Sequence, residues 1–320
     1  MVDFRYHIVS IVAVFLALAV GIVLGTYTIN NAVLSNIRHQ VRSLRHDNDN
    51  ALRQISTLKR QQGQDRAFVA GVDPLIVRDS LAHENVALVV APGASGGLAK
   101  DIKDMLTSAG ANVTTTVKLG KGWTDPAQLP LLDDLATRLV EPGVSLPNTS
   151  AYERISLVLA EALLRHSSQT PATSGDLTSA DTTALAGLKT AKLLSLSPER
   201  PPVATSVVLV APDAPDQPTK DDETAATAVA ALARELDVAG GGTVVAGPQS
   251  SAQNAGVIAA VRSDGATRKV VSTVDDADTE TGRIRVVLAL KAELHDTSGQ
   301  YGIGPGANAP VPSPAPLPSP

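Results

Sequence analysis

Apolar residues follow three rhythms along this chain, and each predicts a different element. Residues 8–29 (IVSIVAVFLALAVGIVLGTYTI) carry no charged side chain. That is the length a membrane-spanning helix needs, about 20 apolar residues. Residues 34–62 then repeat in heptads, with Leu34, Val41, Asn48 and Ile55 at position a and Ile37, Leu44, Ala51 and Leu58 at position d. Arg38, Arg45 and Lys59 fall at e, so the pattern predicts a coiled coil. Beyond about residue 66, short continuous apolar runs alternate with helical patterns. Candidate strands are 86–91, 113–118, 207–211, 243–246, 270–274 and 285–290. Candidate helices are 97–109, 126–140, 151–166, 180–190, 221–237 and 252–262.

Runs that are β-branched without alternation suit strands buried on both faces, as in a parallel sheet covered by helices. The expected fold class is therefore α/β. A single transmembrane helix and a coiled coil precede a Rossmann-like α/β domain with a mostly parallel sheet. The boundaries read as an anchor over 1–30, a coil over 31–63, an α/β domain over 64–300 and a tail over 301–320. VALVVAPG at 86–93 is echoed by SVVLVAPD at 206–213 and by GTVVAGPQ at 242–249. The echo suggests two βαβ halves meeting near 167–205, or simply a composition rich in Ala, Val and Gly. Proline at 305, 310, 312, 314, 316, 318 and 320 predicts an extended or disordered tail.

The first apolar block has a second reading. Ala17-Leu18-Ala19 fits the cleavage site of a signal peptide. The block continues past it through Ile22, Val23 and Leu24, and Arg5 is offset by Asp3, which favours an uncleaved anchor. Counting basic residues leaves orientation open, with Arg5 on one side and Arg38, Arg42 and Arg45 on the other. A chain without cysteine suits an oxidising compartment, and the short N-terminal stub also favours export of the C-terminal part.

Two stripes point to self-association. Ala13, Ala17, Gly21 and Gly25 recur every fourth position, the spacing that lets membrane helices approach closely. Asn48, the one polar residue at a, predicts a parallel, in-register homodimer. At about 100° per residue, Leu34 lies roughly opposite Gly25. Either the helix breaks near 26–31, or one partner uses only one of the two stripes.

Candidate chemistry is sparse. The six histidines are His7, His39, His46, His83, His166 and His295, none in His-x-x-x-His spacing, and the only methionines are Met1 and Met105. Zinc-hydrolase and high-affinity copper(I) sites are thus poorly supported. Gly93-Ala94-Ser95-Gly96-Gly97 reads as the turn opening a helix, and it lacks both common phosphate-loop patterns. Asp275, Asp276, Asp278 and Glu280 read as a solvated acidic loop, and Trp123 as local packing. Two per cent aromatics and a net charge of −5 argue against nucleic acid. With no triad, metal motif or cofactor fingerprint, neither an enzyme nor a cofactor is expected.

The opening MVDFRYHIVSIVAVFLALAVGIVLG, the heptad coil, the VALVVAPG strand and SGQYGIG at 298–304 before a Pro-rich end resemble the actinobacterial copper transport protein family. This family has mycobacterial and corynebacterial members, and the resemblance covers essentially the whole chain. It implies a single-pass envelope protein with its C-terminal domain outside the cytoplasm. It also implies a part in copper efflux or resistance, in some accounts through an outer-membrane pore. A copper ion enters on this resemblance alone, with His83, His166 and His295 as ligands if folding gathers them. Members are also described as division proteins that control cell-wall hydrolysis with a partner membrane protein. The residues fit a pore poorly, because the strands are short and continuously apolar and the one helix has no polar stripe. A copper-resistance protein and a coiled-coil scaffold or septal regulator acting through a partner both remain.

Overall fold

A computed structural model describes residues 4–141, 143–164 and 177–312, with the backbone alone at 4, 5, 26–35, 62, 65–70 and 72–76 of the first helix. The chain forms two compact units, Met1–Asp65 and Arg66–Pro320.

The first unit is helical throughout. Helix α1 runs without a break over Phe4–Val77, its last turns belonging to the second unit. Residues 26–31 are helical like their flanks, so the break considered there does not occur. Weak formers such as Tyr27, Thr28, Asn30 and Asn31 each cost only about 0.5 kcal/mol relative to Ala, too little to interrupt a long helix. One segment of α1, Tyr6–Gly25, is long and apolar enough to cross a membrane.

The second unit is built on one mixed sheet of seven strands. These are β1 (Asn85–Val90), β2 (Asn112–Leu119), β3 (Leu194–Ser197), β4 (Ser206–Val210), β5 (Thr243–Ala246), β6 (Ser272–Val274) and β7 (Gln300–Tyr301). Their spatial order is β3-β2-β1-β4-β5-β6-β7. Every neighbouring pair is parallel except β2 with β3. β1 and β4 run in step from Val86 opposite Ser206 to Val90 opposite Val210. The two echoed segments of sequence are therefore the central pair of a single sheet.

Among the described residues, seven α-helices follow α1: α2 (Gly96–Ser108), α3 (Leu129–Leu139), α4 (Ala151–Leu163), α5 (Ser179–Thr190), α6 (Lys220–Ala239), α7 (Val257–Ser263) and α8 (Glu280–Glu293). On one face of the sheet, Ala87, Val89, Val207, Leu209 and Val245 pack against α3 to α7. On the other, Val86, Leu88, Val208, Val210 and Val244 pack against α2 and α8. This double burial is what the unbroken apolar runs demand. Reciprocal caps fix three helix starts: Ser150 with Glu153, Thr178 with Asp181, and Thr219 with Asp222.

Three expectations are corrected. Residues 285–290 belong to α8 and not to a strand; Ile284, Val286, Val287, Ala289 and Leu290 are buried against the sheet. A short apolar run has no period long enough to separate a buried helix from a buried strand. Residues 270–274 supply only the three residues of β6, preceded by a 3-10 turn at Thr267–Lys269. The tail does not begin at Tyr301. That residue lies in β7, 4% exposed, and is bridged to Ala309. Only 313–320 of the Pro-rich stretch lie outside the described residues.

Candidate functional site

Along α1, the residues singled out for self-association are uncovered in the single chain. Ala17 and Gly21 are exposed and Gly25 is half-buried. A Cβ on either glycine would meet nothing within 4 Å, so packing inside this chain does not account for them. Ile37, Val41, Leu44, Ile55 and Leu58 are exposed apolar side chains, and Asn48 is exposed between them. The side chain of Leu34 lies outside the described residues. Polar bonds along the helix avoid the seam. Ser43 donates to Asp47, Arg53 to Asn50 and Arg60 to Thr57, all at outer heptad positions. The geometric conflict between stripes is now sharp, because an unbroken α1 keeps Gly25 and Leu34 on opposite faces.

The histidines do not assemble. His83 is exposed in the turn before β1, and His295 is exposed in the turn after α8. His166 lies outside the described residues. Among the described residues, no three His, Cys, Asp or Glu side chains gather closely enough to hold a metal ion.

In the α/β unit, the order of strands reverses between β1 and β4, and such sheets offer a crevice beyond the carboxyl ends of the strands at that point. Two open clefts lie there. One of about 530 Å³ is lined by residues including Gly93, Lys121, Pro212, Asp213 and Asp222. The other, of about 350 Å³, lies against Ser95, Gly97, Asp101, Asp213 and Asp278. Ser95 caps α2 by accepting from the Leu98 N–H, as expected for a turn opening a helix. A phosphate at that helix end would face Asp101, Asp213 and Asp278.

The acidic run is solvated only in part: Asp278 is exposed and Glu280 half-buried, but the two aspartates before them are not. Asp275 is completely buried and Asp276 nearly so. Asp275 Oδ1 accepts from the N–H groups of Ile303 at 2.8 Å and Gly304 at 3.0 Å. Its Oδ2 pairs with Arg262 Nη1 at 2.7 Å. Arg262 also donates to Thr273 Oγ1 at 2.9 Å, the Pro305 carbonyl at 2.7 Å and the Tyr301 carbonyl at 2.9 Å. Burial lowers the Arg262 pKa, and the hydrogen bond and charge of Asp275 partly restore it. Gly302 has φ +127, and a Cβ there would lie 2.3 Å from Asp275 Oδ1. The SGQYGIG segment is thus a strap wrapped around a buried carboxylate. Its glycine spacing was the one signal in the sequence that could have revealed this. Asp276 pairs with Arg285 of α8. These acids hold the sheet edge together and leave no open site.

Comparison with known proteins places these observations in a family. A family model described as copper transport outer membrane protein, MctB, matches residues 1–312. Proteins named copper transporter MctB from Mycobacterium tuberculosis (strain H37Rv) and Mycobacterium bovis are each 31% identical over 312 residues, covering 96% of this chain and 98% of the relative. The protein of that name from Mycobacterium leprae is 28% identical over 315 residues, with the same shares covered.

Proposed function

The chain belongs to the MctB family of copper transport proteins, and from that premise we propose that it serves copper efflux or resistance at the cell envelope. The match along nearly the whole of both chains, anchor and α/β unit alike, carries this reading. Tyr6–Gly25 fits a single-pass, uncleaved anchor, and the C-terminal unit, a Rossmann-like domain in this reading, is placed outside the cytoplasmic membrane. The protein is not an enzyme and works as a parallel homodimer through the α1 seam. The outer-membrane placement in the family description would need a route other than a barrel, since the strands here are short and covered by helices on both faces.

The test is growth of a deletion strain across a copper series. Hypersensitivity reversed by the wild-type chain is expected. Growth identical to the parent at every copper concentration overturns the copper reading.

A second reading has its own support. With no three-ligand group among the described residues and an uncovered apolar seam on α1, the protein acts as a membrane-anchored scaffold or regulator of septal wall hydrolysis through a partner protein. Copper(I) and copper(II) calorimetry on the full chain in detergent separates the two. Stoichiometric binding lost in the combined His83→Ala, His166→Ala, His295→Ala variant supports direct copper handling. No binding above background makes any copper phenotype indirect.

A further inference from the structure

The cleft of about 530 Å³ beyond β1, β2 and β4 carries charge of both signs, and neither function above uses it. Lys121 follows β2 and Asp213 follows β4, with β1 between them in the sheet. Neighbouring strands lie about 4.8 Å apart, so the two charges rise from strands about 10 Å apart. The rest of the wall is largely small and apolar, including Pro92, Pro212, Pro215, Ala226, Val229 and Val257.

Both charges are held in place, and neither is neutralised. Lys121 opens the 3-10 turn Lys121–Trp123, which Trp123 pins by burying its indole completely. Gly120 seats that turn against the chain entering β3. Its N–H donates to the Leu193 carbonyl at 2.8 Å, and a Cβ there would lie 2.5 Å from the Lys192 carbonyl oxygen. On the far side, Asp213 Oδ1 accepts from the Ser250 hydroxyl at 2.6 Å. Neither Lys121 nor Asp213 makes an ion pair among the described residues. The other acid in the wall, Asp222, is engaged as the cap of α6, where its Oδ2 accepts from the Thr219 N–H at 2.9 Å and hydroxyl at 2.6 Å. Asp213 also lines the neighbouring cleft with Asp101 and Asp278, so its side of the crevice is negative.

A matching ligand has an anionic group for Lys121, a cationic group for Asp213 and a small apolar body. No aromatic side chain lines the cleft among the described residues, which leaves no platform for a base. We propose that this cleft binds a short zwitterionic peptide of small aliphatic residues, its terminal carboxylate on Lys121 and its terminal amine on Asp213. An extended chain advances about 3.3 Å per residue, so two or three residues span the distance between the two strands once the reach of the lysine stem is counted. The site needs no metal and stands whether or not the copper reading holds.

The experiment is calorimetry on the full chain in detergent, titrated with dialanine and trialanine, and with N-acetylated and C-amidated trialanine as controls. One peptide per chain is expected for at least one of the two free peptides. Blocking either terminus, or substituting Lys121→Met or Asp213→Asn, should each weaken binding by about tenfold or more, the worth of a hydrogen bond to a charged group. Both side chains are exposed, so the circular dichroism and melting temperature of each variant should match the wild type. Absence of binding for both free peptides overturns the proposal. So does a blocked trialanine that binds as tightly as the free one, or binding that is unchanged in either variant.

Discussion

Arg262 and Asp275 meet at 2.7 Å with side chains 5% and 0% exposed, and the strap at 302–305 is bonded to both of them. Removing one member of such a pair leaves the other charged and unmatched in the interior. Asp275→Ala should therefore destabilise the α/β unit by about 3–5 kcal/mol. Denaturant unfolding of the full chain in detergent measures it, and a change under about 1 kcal/mol would mean that the pair does not hold the strap.

The α1 seam predicts how association responds to charge. Leu44→Glu combined with Ile55→Glu places like charges at d and a of both helices, and should convert a dimer to monomer in light scattering. Asn48→Ile should act in the opposite sense. It should raise thermal stability while broadening the distribution of oligomers, because the polar a position specifies register at a cost in stability. A dimer unaffected by the double glutamate variant would place association elsewhere, for example on the Gly21–Gly25 stripe on the other face of α1.

Glu293 and Asp237 set a pH dependence whose sign follows from proton binding. Burial raises their folded pKa values to about 8 and about 7, above the ordinary 4.5 and 3.8. The native state then holds more protons than the unfolded chain through that window, so stability falls as pH rises from about 4 to about 8. The opposing group Asp264, held low by the Thr267 hydroxyl and backbone, acts at the acid end, where its contribution is lost as pH falls. Asp237 is half-titrated near pH 7, so both carboxyls contribute to the slope up to there, and Glu293 carries most of it toward pH 8. Glu293→Gln should flatten the fall in melting temperature across about pH 5 to 8 and leave the profile parallel to the wild type only below about pH 4.

Trp123, the only tryptophan, is fully buried in the larger core cluster. Its emission should be blue-shifted in the folded chain and move red on unfolding of the α/β unit. Trp123→Ala should cost about 3–5 kcal/mol. Trp123→Phe should cost less, since the buried indole N–H has no hydrogen-bond partner to lose. Equal losses for the two substitutions would contradict that account.

Legibility in the sequence followed the length of each pattern. Residues 243–246 were expected as a strand and are β5; 97–109 shifts by one residue to α2, and 180–190 gains one residue at its start in α5. In these segments the apolar period and the cap agree. β3 and β7 escaped notice because LSLS and QY contain no continuous apolar run, whereas the equally short β5 does. α8 was mistaken for a strand because both of its neighbours in sequence are turns and its apolar run is short. The candidate sites fared differently. Along α1, the exposed apolar seam was visible as spacing. The Asp275 cradle and the Lys121–Asp213 cleft join residues that only tertiary contact brings together. A run of aspartates reads as solvent-facing until the arginine and amides that bury it are in place.

The strap also bears on how the protein is made. β7 and its bridge at Ala309 come from the last part of the chain to be synthesised. Until they emerge, β6 is an open edge, with the N–H groups of Thr273 and Asp275 lacking the Gly299 and Tyr301 carbonyls that later receive them. A ribosome-bound intermediate therefore offers a template for pairing with another nascent chain. A truncation before residue 299 would leave that edge open permanently, and its first consequence would be aggregation during biogenesis.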